Sequence, residues 1–227
     1  MRALAVRAFF PRICAVGLYR FFFLLLLSAL ARAEPPTAPA FDYYTLAVSL
    51  TPAFCDQNPR WRDSRQCRDR LALTVHGLWP ERIKGRAPES CAGGVLKLTP
   101  VQERSLRDIM PDAGLRVHEW KKHGRCSGLD GESYFARTER FFRAVKWPDT
   151  LRPVGRDNLL ERDVLLREIQ RLNPAIPAKA LMLRCEKKGR PPLLTEIRLC
   201  LSPEGRPVEC ASNFRPNCPV AIKVRAR

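Results

Sequence analysis

FDYYTLAVSLTP, residues 41–52, is the stretch from which the fold is read. Tyr44, Leu46, Val48 and Leu50 alternate along it, the period of two that marks a strand with one buried face. LALTVHG, residues 71–77, reads as a second strand ending at Gly77, which places His76 at a strand terminus. Between the two, Cys55 to Arg70 is polar, rich in arginine and bracketed by cysteines, the signature of a stapled loop. From Glu81 to Leu98 the chain is basic and punctuated by Gly and Pro, so a longer loop is expected there.

Further out the period changes. Thr99, Pro100 and Gln102 supply a cap, a first-turn proline and the far end of a capping box, opening a helix that stops before Pro111. LRVHEWKKHG (115–124) is a short helix with Gly124 as its C-terminal stop. SYFARTERFFRAVKW (133–147) is an amphipathic helix ended by Pro148, and LLERDVLLREIQRLN (159–173) another ended by Pro174. KALMLRC (179–185), LLTEIRLCLS (193–202) and PVAIKVRA (219–226) return to strands. Strands on both sides of a helical middle give an α+β fold with a central, mainly antiparallel sheet flanked by helices.

The first thirty-three residues read as an address rather than as fold. Arg2, Arg7, Arg12 and Arg20 precede a short apolar core, FFFLLLLSALA, and Ala31-Arg32-Ala33 fits a cleavage site, so residues 1–33 are expected to be a signal peptide. The apolar run is short for a membrane span, and a stable anchor is not expected. Residues 34–227 then form a single domain, periplasmic or secreted, for which a monomer is expected. Cys14 leaves with the leader and an even set of cysteines remains, as in the disulfide frameworks of exported chains. Eight cysteines allow about 105 pairings. Spacing suggests Cys55–Cys67 and Cys200–Cys210 as short loops and Cys91–Cys126 as a tie between the two histidine segments, leaving Cys185–Cys218. The formal charge of +17 stays strongly positive after the leader is subtracted, which implies a polyanionic partner.

The chain has three histidines: His76 in LTVHGLWPE, and His118 and His123 in HEWKKHGRC. On a helix advancing about 100° per residue, His118, Lys122, Glu119 and His123 fall within roughly 140° of one another, with Trp120 and Lys121 on the other side. A helical zinc site requires HExxH, whose histidines nearly eclipse. Here the spacing is one residue longer, Lys122 would repel a cation, and no CxxC occurs, so no metal and no cofactor are expected. Nucleophilic serine chemistry lacks a G-x-S-x-G. Two imidazoles, a carboxylate and an ammonium without a metal suit phosphodiester transfer: one imidazole deprotonates an attacking hydroxyl and another protonates the leaving oxygen. The cation meanwhile stabilises charge on the phosphoryl oxygens. RNA carries its own attacking hydroxyl at the ribose 2′ position; DNA does not.

LTVHGLWPE and HEWKKHGRC resemble the two active-site segments of the ribonuclease T2 family, the acid endoribonucleases, and FDYYTLAVSLTPAFC resembles the opening strand of bacterial, periplasmic ribonuclease I-like members. The resemblance covers essentially all of the region after the leader. It implies an α+β fold, a secretory or periplasmic setting and metal-independent RNA cleavage through a 2′,3′-cyclic phosphate to a 3′-phosphate, with broad base tolerance. Carried over by residue, it makes His123 the general base and His76 the general acid. Glu119, Lys122 and His118 become the groups that bind phosphate or stabilise the transition state. Trp79 falls where an aromatic ring stacks on a base, and Glu81 where a carboxylate contacts one; Trp120 is expected in the core, and Arg82, Lys84 and Arg86 in a solvated loop. Two positions depart from the pattern. Leu50 stands where many members have Trp, and Ala87 and Pro88 occupy the neighbourhood of the second aromatic of the first base pocket.

Overall fold

Tyr43–Leu50 forms β1, and its partners explain why it alternates as it does. The computed structural model describes residues 40–211 and 216–227, so the leader read over residues 1–33 lies outside the described residues. β1 is flanked by β2 (Leu73–Glu81) and β5 (Pro192–Leu201), both antiparallel to it. β4 (Leu181–Gly189) pairs with β5, while β6 (Ala221–Val224) and β3 (Asn158–Glu161) extend the other side, giving the path β2-β1-β5-β6-β3. All pairings are antiparallel except β5 with β6.

Because side chains alternate across a pleated sheet, β1 serves two surfaces. Tyr44, Leu46, Val48 and Leu50 face Leu78, Ile197, Leu199 and Leu201 in the main core. The intervening Thr45, Ala47 and Ser49 are small, and they lie opposite Trp79, Arg198 and Glu196 respectively. That second face is where the chain places its chemistry.

Six helices follow in chain order: α1 (Thr51–Gln57), α2 (Arg65–Arg68), α3 (Pro100–Leu106), α4 (Ala113–Lys122), α5 (Gly131–Ala144) and α6 (Arg162–Leu172). α5 drives Tyr134, Phe135 and Phe141 into the core and α6 adds Leu165 and Ile169. Trp120 is buried, as the sequence suggests. The capping box at Thr99 and Gln102 is present, with Pro100 in the first turn of α3. Disulfides join Cys55 to Cys67, Cys91 to Cys126, Cys185 to Cys218 and Cys200 to Cys210.

Four sequence expectations are corrected. Cys55 to Arg70 is helical rather than loop, consisting of the end of α1, a 3-10 turn at Pro59–Trp61 and α2. Pro52 and Pro59 sit in first turns, where a missing N–H costs nothing. β2 does not end at Gly77 but runs on to Glu81; it is an edge strand, so Pro80 leaves no ladder bond unmade. Leu159 to Glu161, expected as the start of a helix, instead belong to the strand Asn158–Glu161 that pairs with β6, and α6 begins only at Arg162. Finally, α4 stops at Lys122, so His123 is its C-cap rather than part of its face. Gly124 opens a 3-10 turn instead of supplying a left-handed stop, and that conformation belongs to Gly128 at φ 75°. Gly124 is required for space: a Cβ there would lie 2.4 Å from Cε3 of Trp120.

Candidate active site

His76 occupies an irregularity in β2. Val75 pairs with Val48 and Gly77 with Ala47, so His76 is the extra residue of a bulge. Bulges bend a strand and re-aim a side chain, and this one puts the ring between two carboxylates. Nδ1 lies 2.8 Å from Oε2 of Glu196 on β5, and Nε2 lies 3.8 Å from Oε1 of Glu119 on α4. Glu196 is itself clamped by the Arg198 guanidinium at 2.5 Å. With Nδ1 donating to Glu196, Nε2 is the nitrogen that faces Glu119.

Glu119 reaches the sheet because Gly77 has no side chain. A Cβ at Gly77 would stand 2.1 Å from Oε2 of Glu119 and 2.3 Å from Nε1 of Trp79. In that gap the Trp79 indole N–H donates to Glu119 Oε2 at 2.7 Å. Trp79 is therefore the hub of the site. Its ring centroid is 5.2 Å from that of His76 and 5.4 Å from that of His123, with the Arg198 guanidinium 4.8 Å away over the ring. The imidazoles of two distant segments thus meet on one indole.

Their surroundings differ in sign. Burial pushes His76 down, but the hydrogen bond and charge of Glu196, with the charge of Glu119, outweigh it and leave its pKa above the ordinary 6.5. Glu196 is correspondingly held below the usual carboxylate value: burial raises it, and His76 and Arg198 more than reverse that. His123 is lowered to about 4 by burial first and then by the charge of Lys122, with His118 and His76 adding to the effect against Glu89. The two rings are thus pushed in opposite directions from the same ordinary value. Glu119 is raised by burial despite His76, the Trp79 hydrogen bond, His118 and Lys122.

His118 is exposed and lines a cavity of about 650 Å³ that also opens onto His76, Glu196 and Arg198. Lys122 is half-buried near His123 and Glu119, which both feel its charge. Glu81, at the end of β2, is buried rather than a loop acid, and burial raises it to about 7 against the pull of Arg198. Leu50 points into the core and contributes nothing to the site face. Arg82 binds the Ala40 carbonyl and Arg86 pairs with Glu89. Cys91–Cys126 ties the loop after β2 to the turn after His123, and the Ser90 N–H bonds the Lys122 carbonyl beside it at 2.7 Å. Among the described residues no three His, Cys, Asp or Glu side chains are grouped to hold a metal.

Sequence reasoning missed Glu196 and Arg198. A signal was available: two opposite charges at alternate positions of LLTEIRLC share one face of an apolar strand, and charges so buried require partners.

Comparison with known proteins supplies the family. Residues 41–210 match the model of the Ribonuclease T2 family. A ribonuclease of Aeromonas hydrophila is 40% identical over 97 residues, covering 43% of this chain and 43% of that one. A probable ribonuclease of Haemophilus influenzae is 30% identical over 184 residues, covering 75% of this chain and 61% of its own. The matched stretch thus spans less than two thirds of either relative. Among solved structures, Japanese pear S3-RNase superposes with a TM-score of 0.65 at 25% identity, over 81% of this chain and 100% of that one. A histidine–tryptophan–carboxylate site on an α+β frame, matched by the family pattern over most of the chain, leads to one statement of kinship: this protein belongs to the ribonuclease T2 family.

Proposed function

We propose that this chain is an exported endoribonuclease that cuts single-stranded RNA by transphosphorylation, without a metal and with broad base tolerance. The observation that supports it most is the opposed proton affinity of two imidazoles on one indole: His123 is lowered to about 4 and His76 raised. Groups pushed apart in this way take the base and acid roles.

In the first step the ribose 2′-hydroxyl gives its proton to His123 and its oxygen bonds to phosphorus. The bond from phosphorus to the 5′-oxygen breaks, and that oxygen takes the proton of His76. A 2′,3′-cyclic phosphate and a free 5′-hydroxyl result. Water then attacks the cyclic phosphate with the two histidines exchanging roles, leaving a 3′-phosphate. Lys122 supplies positive charge to the non-bridging oxygens, His118 binds the phosphate beside it, and Glu119, its affinity for a proton raised by burial, lies beside the same phosphate. Trp79 and Glu81 are the base contacts of this reading; the indole N–H bound to Glu119 gives Trp79 a second task, holding that carboxylate.

Export rests on four disulfides, which persist in oxidising compartments, and on the leader pattern of residues 1–33. A single domain over 34–227 and a monomer complete the proposal. Purified protein incubated with RNA and with DNA, each with and without EDTA, tests the chemistry. RNA should be cut to cyclic and then 3′-phosphate ends regardless of the chelator, and DNA left intact. RNA bound but uncut, or cut only without EDTA, would overturn the mechanism. N-terminal sequencing of the protein recovered outside the cytoplasm should begin at Glu34.

A further inference from the structure

The segment from Cys55 to Arg70, stapled by the Cys55–Cys67 disulfide, carries five arginines against three aspartates, Asp56, Asp63 and Asp69. Two of those aspartates are already engaged: Asp69 with Arg65, and Asp56 with Arg225. Among the described residues Arg62, Arg68 and Arg70 have no ion-pair partner and are exposed. An excess of unneutralised guanidinium groups on a short insert is costly in self-repulsion and usually solvated. Its position makes it more than a solvated run.

Trp61, at the crest of the insert, is 44% exposed although a large apolar ring, and the Arg60 guanidinium stands 6.0 Å from its centroid. The same ring lines the cavity that opens onto His76 and His118. Gln66, buried on α2, belongs to the wall of this cavity and also to that of a second hollow of about 350 Å³ lined by Arg62, Arg70 and Arg225. An aromatic platform followed by guanidinium groups, continuous with the reacting groups, is how proteins hold successive nucleotides of a single strand irrespective of sequence. The disulfide and three short helical turns hold the platform in place, so little ordering is needed when a chain settles on it.

The geometry points to the stapled insert as a track for single-stranded RNA beyond the scissile linkage, with Trp61 stacking one base and Arg62 and Arg70 holding the phosphates that follow. This rests on the endoribonuclease reading for the strand's other end. It predicts that the protein distinguishes long RNA from short, because Arg62 and Arg70 line the second hollow and only a longer strand brings further phosphates to them.

Two measurements on the full protein test it. In the first, a fluorescein-labelled twelve-nucleotide 2′-O-methyl RNA, which cannot be cut, is titrated against wild type and against Arg62→Gln/Arg70→Gln over a range of salt. The slope of log affinity against log salt should flatten by about 1.4, since each single-strand phosphate contact contributes about 0.7. Trp61→Ala should bind about fivefold more weakly or worse, the low end of what one base stack supplies. In the second, kcat/KM is compared for a twelve-nucleotide RNA and a dinucleotide, and the long-to-short ratio should fall by about tenfold in the double arginine variant. An unchanged slope with unchanged affinity, or an equal loss on both substrates, would overturn the track. Because the uncuttable probe reads binding alone, a protein that binds it as described but cuts nothing would sink the catalytic reading and leave the track standing.

Discussion

The two imidazoles of the site are a natural experiment in environment. His76, on the sheet, sits between Glu196 and Glu119, and the carboxylates overcome burial to raise its pKa above the ordinary value. His123, at the end of α4, faces Lys122 and His118, and there cationic charge reinforces burial to take the proton off. The rings are chemically identical and share one indole as neighbour. Their division of labour therefore comes from the opposite walls, the β5 carboxylate on one side and the basic last turn of a helix on the other. The general lesson is that acid and base roles are legible from the sign of the surrounding charge.

The most severe way to break the contrast is to remove either ring. His76→Ala and His123→Ala should each lower kcat on RNA by about 10²–10⁴, with circular dichroism unchanged. Either variant turning over at near the wild-type rate would show its role misassigned. Next comes the support between them. Gly77→Ala places a methyl group where Glu119 and the Trp79 indole N–H meet, and a displacement of about 1 Å costs on the order of 10²-fold; full activity would mean the carboxylate is not needed in place.

Glu196→Gln sharpens the comparison rather than destroying it, removing the negative charge that holds the His76 proton. The base must be neutral, so activity is lost as pH falls through the His123 pKa of about 4. The acid must be protonated, so activity is lost as pH rises through the raised pKa of His76. The variant should move the alkaline limb of kcat/KM to lower pH and leave the acid limb where it was, an effect a merely structural glutamate would not produce. Trp79→Phe is the mildest. It keeps an aromatic ring and loses one hydrogen bond to a charged group, about 1.5–3 kcal/mol. A loss confined to kcat with KM unchanged would assign the ring to positioning Glu119, and a loss confined to KM would assign it to the base.

Much of this was visible in the sequence. The alternation of Tyr44, Leu46, Val48 and Leu50 marked the core face of β1 because strand periodicity survives when one face must be greasy. The cysteine spacing suggested the four pairs that the fold joins. What stayed hidden depends on partners distant in sequence. The bulge at His76 exists only relative to β1, and an edge strand tolerates Pro80 in a way the sequence cannot announce. The insert's short helices lack an apolar period, and His123 caps its helix where Gly124 packs against Trp120, a contact between neighbours that periodicity does not reveal. Glu196 and Arg198 were overlooked as ordinary strand residues, since their meaning comes from His76, over a hundred residues earlier.

A histidine-resolved NMR titration of the resting protein examines the central contrast without relying on turnover. The resonance of His76 should titrate above 6.5 and that of His123 near 4. Coincident titration of the two rings near 6.5, or the reverse order, would contradict the account.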